Sequence, residues 1–238
     1  GVWVGLAART TVAHNEIREL PYTGVSAGWM WWDPQATPEP QKTPCRENIV
    51  TDNHIHHVMQ VLSDGGGIYT LGNQPDSALR GHVIHDVPAN VGRAESNGMF
   101  LDQGTGGFVI ENNVIYNIDR SPLRFHKGWE NVIRKNVLAV REGVPVIRYN
   151  DTKQERIELE DNAIVTADKA GVSPAEKMAR EALPQAGLEP PYRARLLEKE
   201  PQIVLPAPGE EISLFDGRTL GLWEDTDFSG QGKVTIKD

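Results

Sequence analysis

A short block of polar and apolar positions recurs along the first two thirds of the chain. It is a polar pair, an apolar residue, then a polar or apolar finish. It reads His14-Asn15-Glu16-Ile17-Arg18-Glu19-Leu20, then Asp52-Asn53-His54-Ile55-His56-His57-Val58. It returns as Gly81-His82-Val83-Ile84-His85-Asp86-Val87 and as Asn112-Asn113-Val114-Ile115-Tyr116-Asn117-Ile118. Weaker copies are Lys135-Asn136-Val137-Leu138-Ala139-Val140 and Asp161-Asn162-Ala163-Ile164-Val165-Thr166. Asn15, Asn53, Asn113, Asn136 and Asn162 hold one position, with His82 substituting once. Asn tolerates the left-handed backbone of a tight corner, and its amide can bond its counterpart one turn away. A solenoid stacks such residues as a ladder. Steps between copies run from 23 residues (Asn113 to Asn136) to 38 (Asn15 to Asn53), so the longer coils carry inserted loops.

A second strand follows each copy: Gly24–Gly28, Gly67–Leu71 and Gly98–Asp102, with Pro122–His126 and the flanks of Pro145 fitting less closely. Period-two alternation turns Val25, Ile68, Met99 and Leu123 inward, together with Ala27, Thr70, Leu101 and Phe125. The outer face then carries Tyr69, Phe100 and Arg124 in one column, and Leu71, Asp102 and His126 in the next. Neighbouring strands lie ~4.8 Å apart, so each column is a spatial cluster. No Leu-x-x-Leu-x-Leu period appears, and the blocks are too short and β-branched for helix pairs. The fold class expected is all-β: a right-handed parallel β-helix over 1–170.

Beyond Thr166 the repeat fades. Ser173-Pro174-Ala175-Glu176 reads as a capped helix start, which predicts a short helix ending near Leu183, before Pro184. Pro190, Pro191, Pro201, Pro206 and Pro208 mark a linker, giving a helix-and-linker segment over 171–205. The segment 206–238 contains a strand, a turn and another apolar stretch. It is too short for a stable domain by itself, so it reads as a truncated start of a β-sandwich.

Composition narrows the function classes. Net charge is −9 with no basic run, which argues against a nucleic-acid partner. No apolar run is long enough to span a bilayer, so no membrane partner is expected. Cys45 stands alone, which excludes an internal disulfide framework and a Cys-rich zinc site. The chain opens on Gly1 and reads as an internal piece or a processed product.

The segment Asn53 to Asn136 resembles bacterial right-handed parallel β-helix proteins related to glycoside hydrolases, the group that includes α-L-fucosidases and xylanases. The carriers are Pro21 to Trp29, Leu62 to Tyr69, Gly98 to Asp102 and Glu111 to Asn117. Ala186 to Arg193 looks like the end segment of the same group, so the resemblance covers roughly residues 10 to 197. Leu214 to Trp223 looks like the opening of a 3-keto-disaccharide hydrolase domain, a jelly-roll sandwich, although Leu222 stands where that family usually has Gly. The resemblance implies a secreted, periplasmic or cell-surface bacterial protein with a carbohydrate substrate. It also implies that Asp64 and Asp102 match an acidic catalytic pair. Relatives often show a His-rich strand followed by Tyr-Gly, where this chain has Arg124-Phe125-His126-Lys127-Gly128.

Glycoside hydrolysis needs one carboxylic acid and one carboxylate, which makes Asp64 and Asp102 the candidate catalytic residues. The two do not share a column: Asp64 precedes Gly67, whereas Asp102 follows Gly98. Only loop folding brings them together. Glu95 and Asp119 occupy the same pre-strand turn as Asp64 and are alternates; the plain reading of all three is turn acids. Candidate substrate-binding residues are Trp29, Trp32, His57, Tyr69, Gln103, Arg124 and His126, the Trp rings because aromatic faces stack on sugars. His54, His56, His57 and His85 invite a metal reading but lack an evident carboxylate, so they read as a polar stripe. No metal and no cofactor is expected. Two other functions fit the fold: a carbohydrate-binding β-helix without catalysis, and a polysaccharide lyase using Arg124, Arg148 and Lys127 near His126, with or without calcium.

Overall fold

The computed structural model describes residues 1–167 and 174–193, apart from 38, 91 and 93. The chain divides after residue 195, so these residues belong to the first of its two units. The expected sandwich start at 206–238 and the linker from 194 onward lie outside the described residues.

The described strands wind into six coils of three strands each, giving three six-stranded parallel sheets. The first sheet holds Val2–Val4, Val25–Ala27, Gly65–Thr70, Ser96–Leu101, Leu123–His126 and Ile147–Asn150. Thr11–Ala13, Ile49–Thr51, Asn73–Arg80, Gly106–Glu111, Asn131–Arg134 and Ile157–Glu160 make the second. Glu16–Arg18, His54–His56, Val83–Val87, Val114–Ile118, Val137–Arg141 and Ala163–Ala167 make the third. This is the all-β parallel β-helix that the repeat predicts, with the hand that parallel crossovers take. The second sheet was not legible as a separate strand, because its strands run into the ladder corner with only two residues between.

The ladder forms as a continuous chain of hydrogen bonds. The Asn15 backbone N–H donates to Asn53 Oδ1 at 2.9 Å, His82 N–H to Asn113 Oδ1 at 3.0 Å, and Asn113 N–H to Asn136 Oδ1 at 3.0 Å. Asn136 N–H continues it to Asn162 Oδ1 at 3.0 Å. His82 imitates an amide: Nδ1 accepts from Asn53 N–H at 3.1 Å and Nε2 donates to the Val50 carbonyl at 3.0 Å. The left-handed residues are not the ladder residues but those just before them: His14, Asp52, Gly81, Asn112, Lys135 and Asp161. The corner's turn and its hydrogen bonding are thus divided between two adjacent positions. A second, shorter ladder holds the corner between the first and second sheets. There Asn48 N–H donates to Ser77 Oγ at 3.1 Å and Phe108 N–H to Asn131 Oδ1 at 3.1 Å.

Inward positions fill the barrel. Val25, Ala27, Ile68, Met99, Leu101, Leu123 and Phe125 are fully buried, as alternation requires, and pack on Leu79, Ile110 and Ile133 and on Ile55, Ile84 and Ile115. Each such side chain contributes about 1.5–3 kcal/mol by leaving water. Gly98 sits where coils approach closely: a Cβ there would stand 2.6 Å from the Pro122 carbonyl oxygen. The helix Pro174–Ala182 ends one residue short of the expected limit and lies on the outer face of the third sheet. Ala175 and Ala179 meet Val83, Val114, Val137 and Ala139, the small residues permitting a close fit. Among the described residues no helix is long and apolar enough to cross a membrane.

Candidate functional site

Register on the outer face of the first sheet sets Trp3, Ser26, Tyr69, Phe100, Arg124 and Arg148 in one column. Asp102 leaves the sheet one residue past Leu101, beside His126 one coil on. Its two oxygens are both held: Tyr69 Oη donates to Oδ2 at 2.6 Å and the His126 Nδ1–H to Oδ1 at 2.7 Å. Asp102 is thereby placed as a carboxylate acceptor spanning three coils. Burial and the neighbouring Asp102 charge push the Tyr69 hydroxyl well above the ordinary phenol range, so Tyr69 stays a donor.

Asp64 stands in the turn before Gly65 with a left-handed backbone, φ 67°, and an exposed carboxyl. Tyr22 Oη donates to its backbone carbonyl at 2.8 Å, and Arg124 Nη1 lies 4.0 Å from its Oδ1. Partial burial, then the negative charge of Asp102, raises the Asp64 carboxyl above its ordinary value, against the pull of Arg124 and His126. The two acids therefore feel one another despite occupying different columns. The left-handed backbone at Asp64 turns the chain into the strand that begins at Gly65.

Arg124 lies across Phe100, its guanidinium carbon 4.2 Å from the ring centre, and its Nε donates to Asn150 Oδ1 at 3.1 Å. Its Nη1 is buried with no hydrogen-bond partner, and so is Glu95 Oε2. Orphaned buried polar atoms call for a partner; the donor lies beside Asp64 and the acceptor belongs to the carboxylate that pairs with Arg148. Tyr69, Leu71 and Phe100 form a small apolar floor beneath.

The other expected residues divide. Gln103 follows Asp102 and is half-buried. Trp29 is exposed and packs edge-to-face on Trp3 at 6.2 Å and on Trp31 at 5.1 Å, all three rings open to solvent. Trp32 is turned away: it is 5% exposed, donates through Nε1 to the Thr37 carbonyl at 2.9 Å and packs on Trp129. The ring holds the loop rather than facing a ligand. His57 belongs to the third sheet's corner, in a group with His56, His85 and Asp86, not with Asp102. Of the alternates, Glu95 pairs with Arg148 at 2.6 Å. Asp119 pairs with Arg141 at 2.5 Å and accepts from Ala89 N–H. Lys127 pairs with Asp33 at 2.5 Å. All three cations that a lyase would use thus stand beside a carboxylate of the chain, Arg124 beside Asp64 at 4.0 Å. Trp3 and Tyr22 escaped the sequence reading, Trp3 because its three-residue strand precedes the first repeat.

Two recesses in the surface stand apart from the acidic pair. One is lined by His57, Asp86, Asn117 and Arg141, another by Gln35, Trp129, Asp151 and Arg156. A solved chain titled "Glycoside hydrolase" is similar to this one over 80% of its length, at 22% identity and a TM-score of 0.46; the chain spans 24% of that protein. No family model matches the sequence, and no curated protein matches it.

Proposed function

We propose that this β-helix is the catalytic scaffold of a glycoside hydrolase, with Asp64 as the general acid and Asp102 as the carboxylate that attacks or activates water. The observation that carries the reading is the contrast between two carboxyls on one face. Asp64, exposed at its turn and only partly desolvated, is raised by that desolvation and by its neighbour's charge, while Asp102 is held by two donors. Acid and base chemistry at one pH needs two carboxyls in different surroundings, and here one stands at an exposed turn while the other accepts from two donors. Buried Arg124 Nη1 supplies a donor for a sugar oxygen. The exposed rings of Trp3, Trp29 and Trp31 would offer stacking surfaces to a glycan.

The exposed rings also favour a second reading, glycan binding without cleavage. One experiment separates them: release of reducing sugar from neutral and uronic glycans by the full-length protein, with ultraviolet detection of unsaturated ends. Hydrolysis predicts sugar release without unsaturation. Asp102→Asn, nearly isosteric, should then cost ~10³-fold in turnover, about 4 kcal/mol of barrier. Full activity in that variant refutes the role of Asp102. Binding with no release by the wild-type protein favours the second reading, and unsaturated ends mark a lyase.

A further inference from the structure

On the outer face of the third sheet, away from the acidic pair, stands a second cluster of chemistry-bearing groups. Register sets Glu16 beside His54 and Arg18 beside His56, then His56 beside His85 one coil on. Glu16 Oε2 meets His54 Nδ1 at 2.9 Å and Glu16 Oε1 meets His56 Nε2 at 2.7 Å. This is the carboxylate that the histidine pattern alone lacked. These ligand-type atoms all lie within 4.8 Å of one another, and the three side chains are only 12–15% exposed.

The outer groups continue the pattern. His54 Nε2 meets His85 Nε2 at 2.8 Å, and His85 Nδ1 meets Asp86 Oδ2 at 2.6 Å. His56 Nδ1 meets His57 Nδ1 at 2.7 Å, and His57 lies 3.7 Å from Asp86. Asn117 bonds the other Asp86 oxygen. His57 departs from strand alternation because its φ is 49°, which swings the ring to the side of His56.

The hydrogen-bond valence of this network is informative. With protons alone, the carboxylate contacts require N–H at His54 Nδ1, His56 Nε2 and His85 Nδ1. Two bare nitrogens of His54 and His85 would then face each other at 2.8 Å unless one ring carried a second proton. A cation bound to Glu16, His54 Nδ1 and His56 Nε2 removes the conflict. The ring protons move to His54 Nε2 and His56 Nδ1, which donate to His85 Nε2 and His57 Nδ1, and His85 Nδ1–H still donates to Asp86. Every ring is neutral and every contact has one proton. Ligating histidines are held in this way, by a second group that accepts from the far nitrogen.

We propose that Glu16, His54 and His56 form a binding site for a divalent transition metal of the zinc class, with His85, His57 and Asp86 as its orienting outer groups. Two imidazoles and a carboxylate suit zinc, at about 2.0–2.2 Å per bond, and leave a fourth position open. Ligand atoms around such an ion stand roughly 3.3 Å apart, so the two contacts to Glu16, now 2.9 and 2.7 Å, would each lengthen by about half an ångström. The ion joins the first coil to the second. It also lies under the turn at Gly187, where a Cβ would stand 3.0 Å from His54 Cβ and 3.2 Å from Glu16 Oε2.

The test uses the full chain, stripped with chelator, re-equilibrated with zinc(II) or cobalt(II), desalted and analysed for metal content. The wild-type chain should retain about one ion, and the cobalt form should show the visible bands of a low-symmetry nitrogen–oxygen site. Glu16→Gln, nearly isosteric, and His56→Ala should each abolish retention, while His14→Ala, outside the cluster, should keep it. Asp86→Asn leaves the ligands in place and should weaken binding about 10–100-fold. Retention below ~0.1 ion by a folded wild-type chain overturns the assignment, as does equal retention by Glu16→Gln. If His56→Ala does not fold, the wild-type stoichiometry and the Glu16→Gln comparison still decide.

Discussion

His82 is the one ladder residue that titrates, and acid should expose it. The ring is fully buried, Nδ1 accepts from Asn53 N–H, and Nε2–H donates to Val50. A proton on Nδ1 would confront the Asn53 N–H, donor against donor. Burial holds the ring's pKa down to about 4 from an ordinary 6.5, against the hydrogen bond to Val50 and the charge of Asp52. In the unfolded chain the ring takes a proton below about 6.5. Between about pH 6.5 and 4 the unfolded state therefore binds more protons, and stability falls as pH falls; above and below that window the contribution is flat. At 1.36 kcal/mol per unit, the loss is about 3 kcal/mol, a few hundredfold in the folding equilibrium. His82→Asn keeps an acceptor and a donor at the same corner but cannot titrate. Urea unfolding of the full chain, followed by far-ultraviolet circular dichroism at pH 7, 6, 5 and 4, reads the difference. Wild type should lose about 3 kcal/mol more than His82→Asn across the series, whatever offset the smaller side chain introduces at pH 7. Equal losses in the two proteins would refute the claim that the ladder holds a neutral imidazole.

Further outcomes follow from other positions. Asn113→Ala strands the buried His82 N–H and removes the donor to the Leu79 carbonyl, so the urea midpoint should fall by the equivalent of about 2–4 kcal/mol. Tyr69→Phe deletes the phenol that donates to Asp102; if the hydrolase reading holds, turnover should drop about 10–100-fold with the fold intact by circular dichroism. Trp29→Ala opens the exposed aromatic group and should raise KM several-fold for long glycans, with kcat little changed in steady-state assays.

The parts of the fold that repeat were the parts legible in the sequence. Asn15, Asn53, Asn113, Asn136 and Asn162 betray the corner because one side chain must recur wherever one hydrogen-bond geometry recurs. Inward residues such as Ile68 and Met99 were legible because strand alternation leaves them no other face. The second sheet has no comparable mark: Thr11–Ala13 and Ile49–Thr51 are three residues long and abut the ladder, so their period cannot be told from the block that follows. At the site, the columns gave Tyr69, Arg124 and His126 beside Asp102. What no period reveals is a side chain whose direction depends on one left-handed residue. Asp64 and His57 are such cases, with φ of 67° and 49°. Trp29 and Trp32 differ in fate for a similar reason, since a loop's fold decides which ring is covered.

The two chemical clusters share a design that explains why a solenoid suits them. Asp102 meets Tyr69 across 33 residues and His126 across 24, while Glu16 meets His54 across 38. None of these contacts depends on the length of chain between its members, because the inserted loops leave at the corners and the strands resume in register. Register itself is held by the buried ladder at the corner between the second and third sheets, not by the functional residues. A one-coil slip would carry Asp102 away from both of its donors at once, and a one-residue slip would turn every outward column into the core. The outer faces can therefore carry polar or strained groups, such as Arg124 and the left-handed Asp64, without being asked to hold the fold together. The stability of each coil resides in apolar burial and amide ladders, and the placement of the chemistry follows from them.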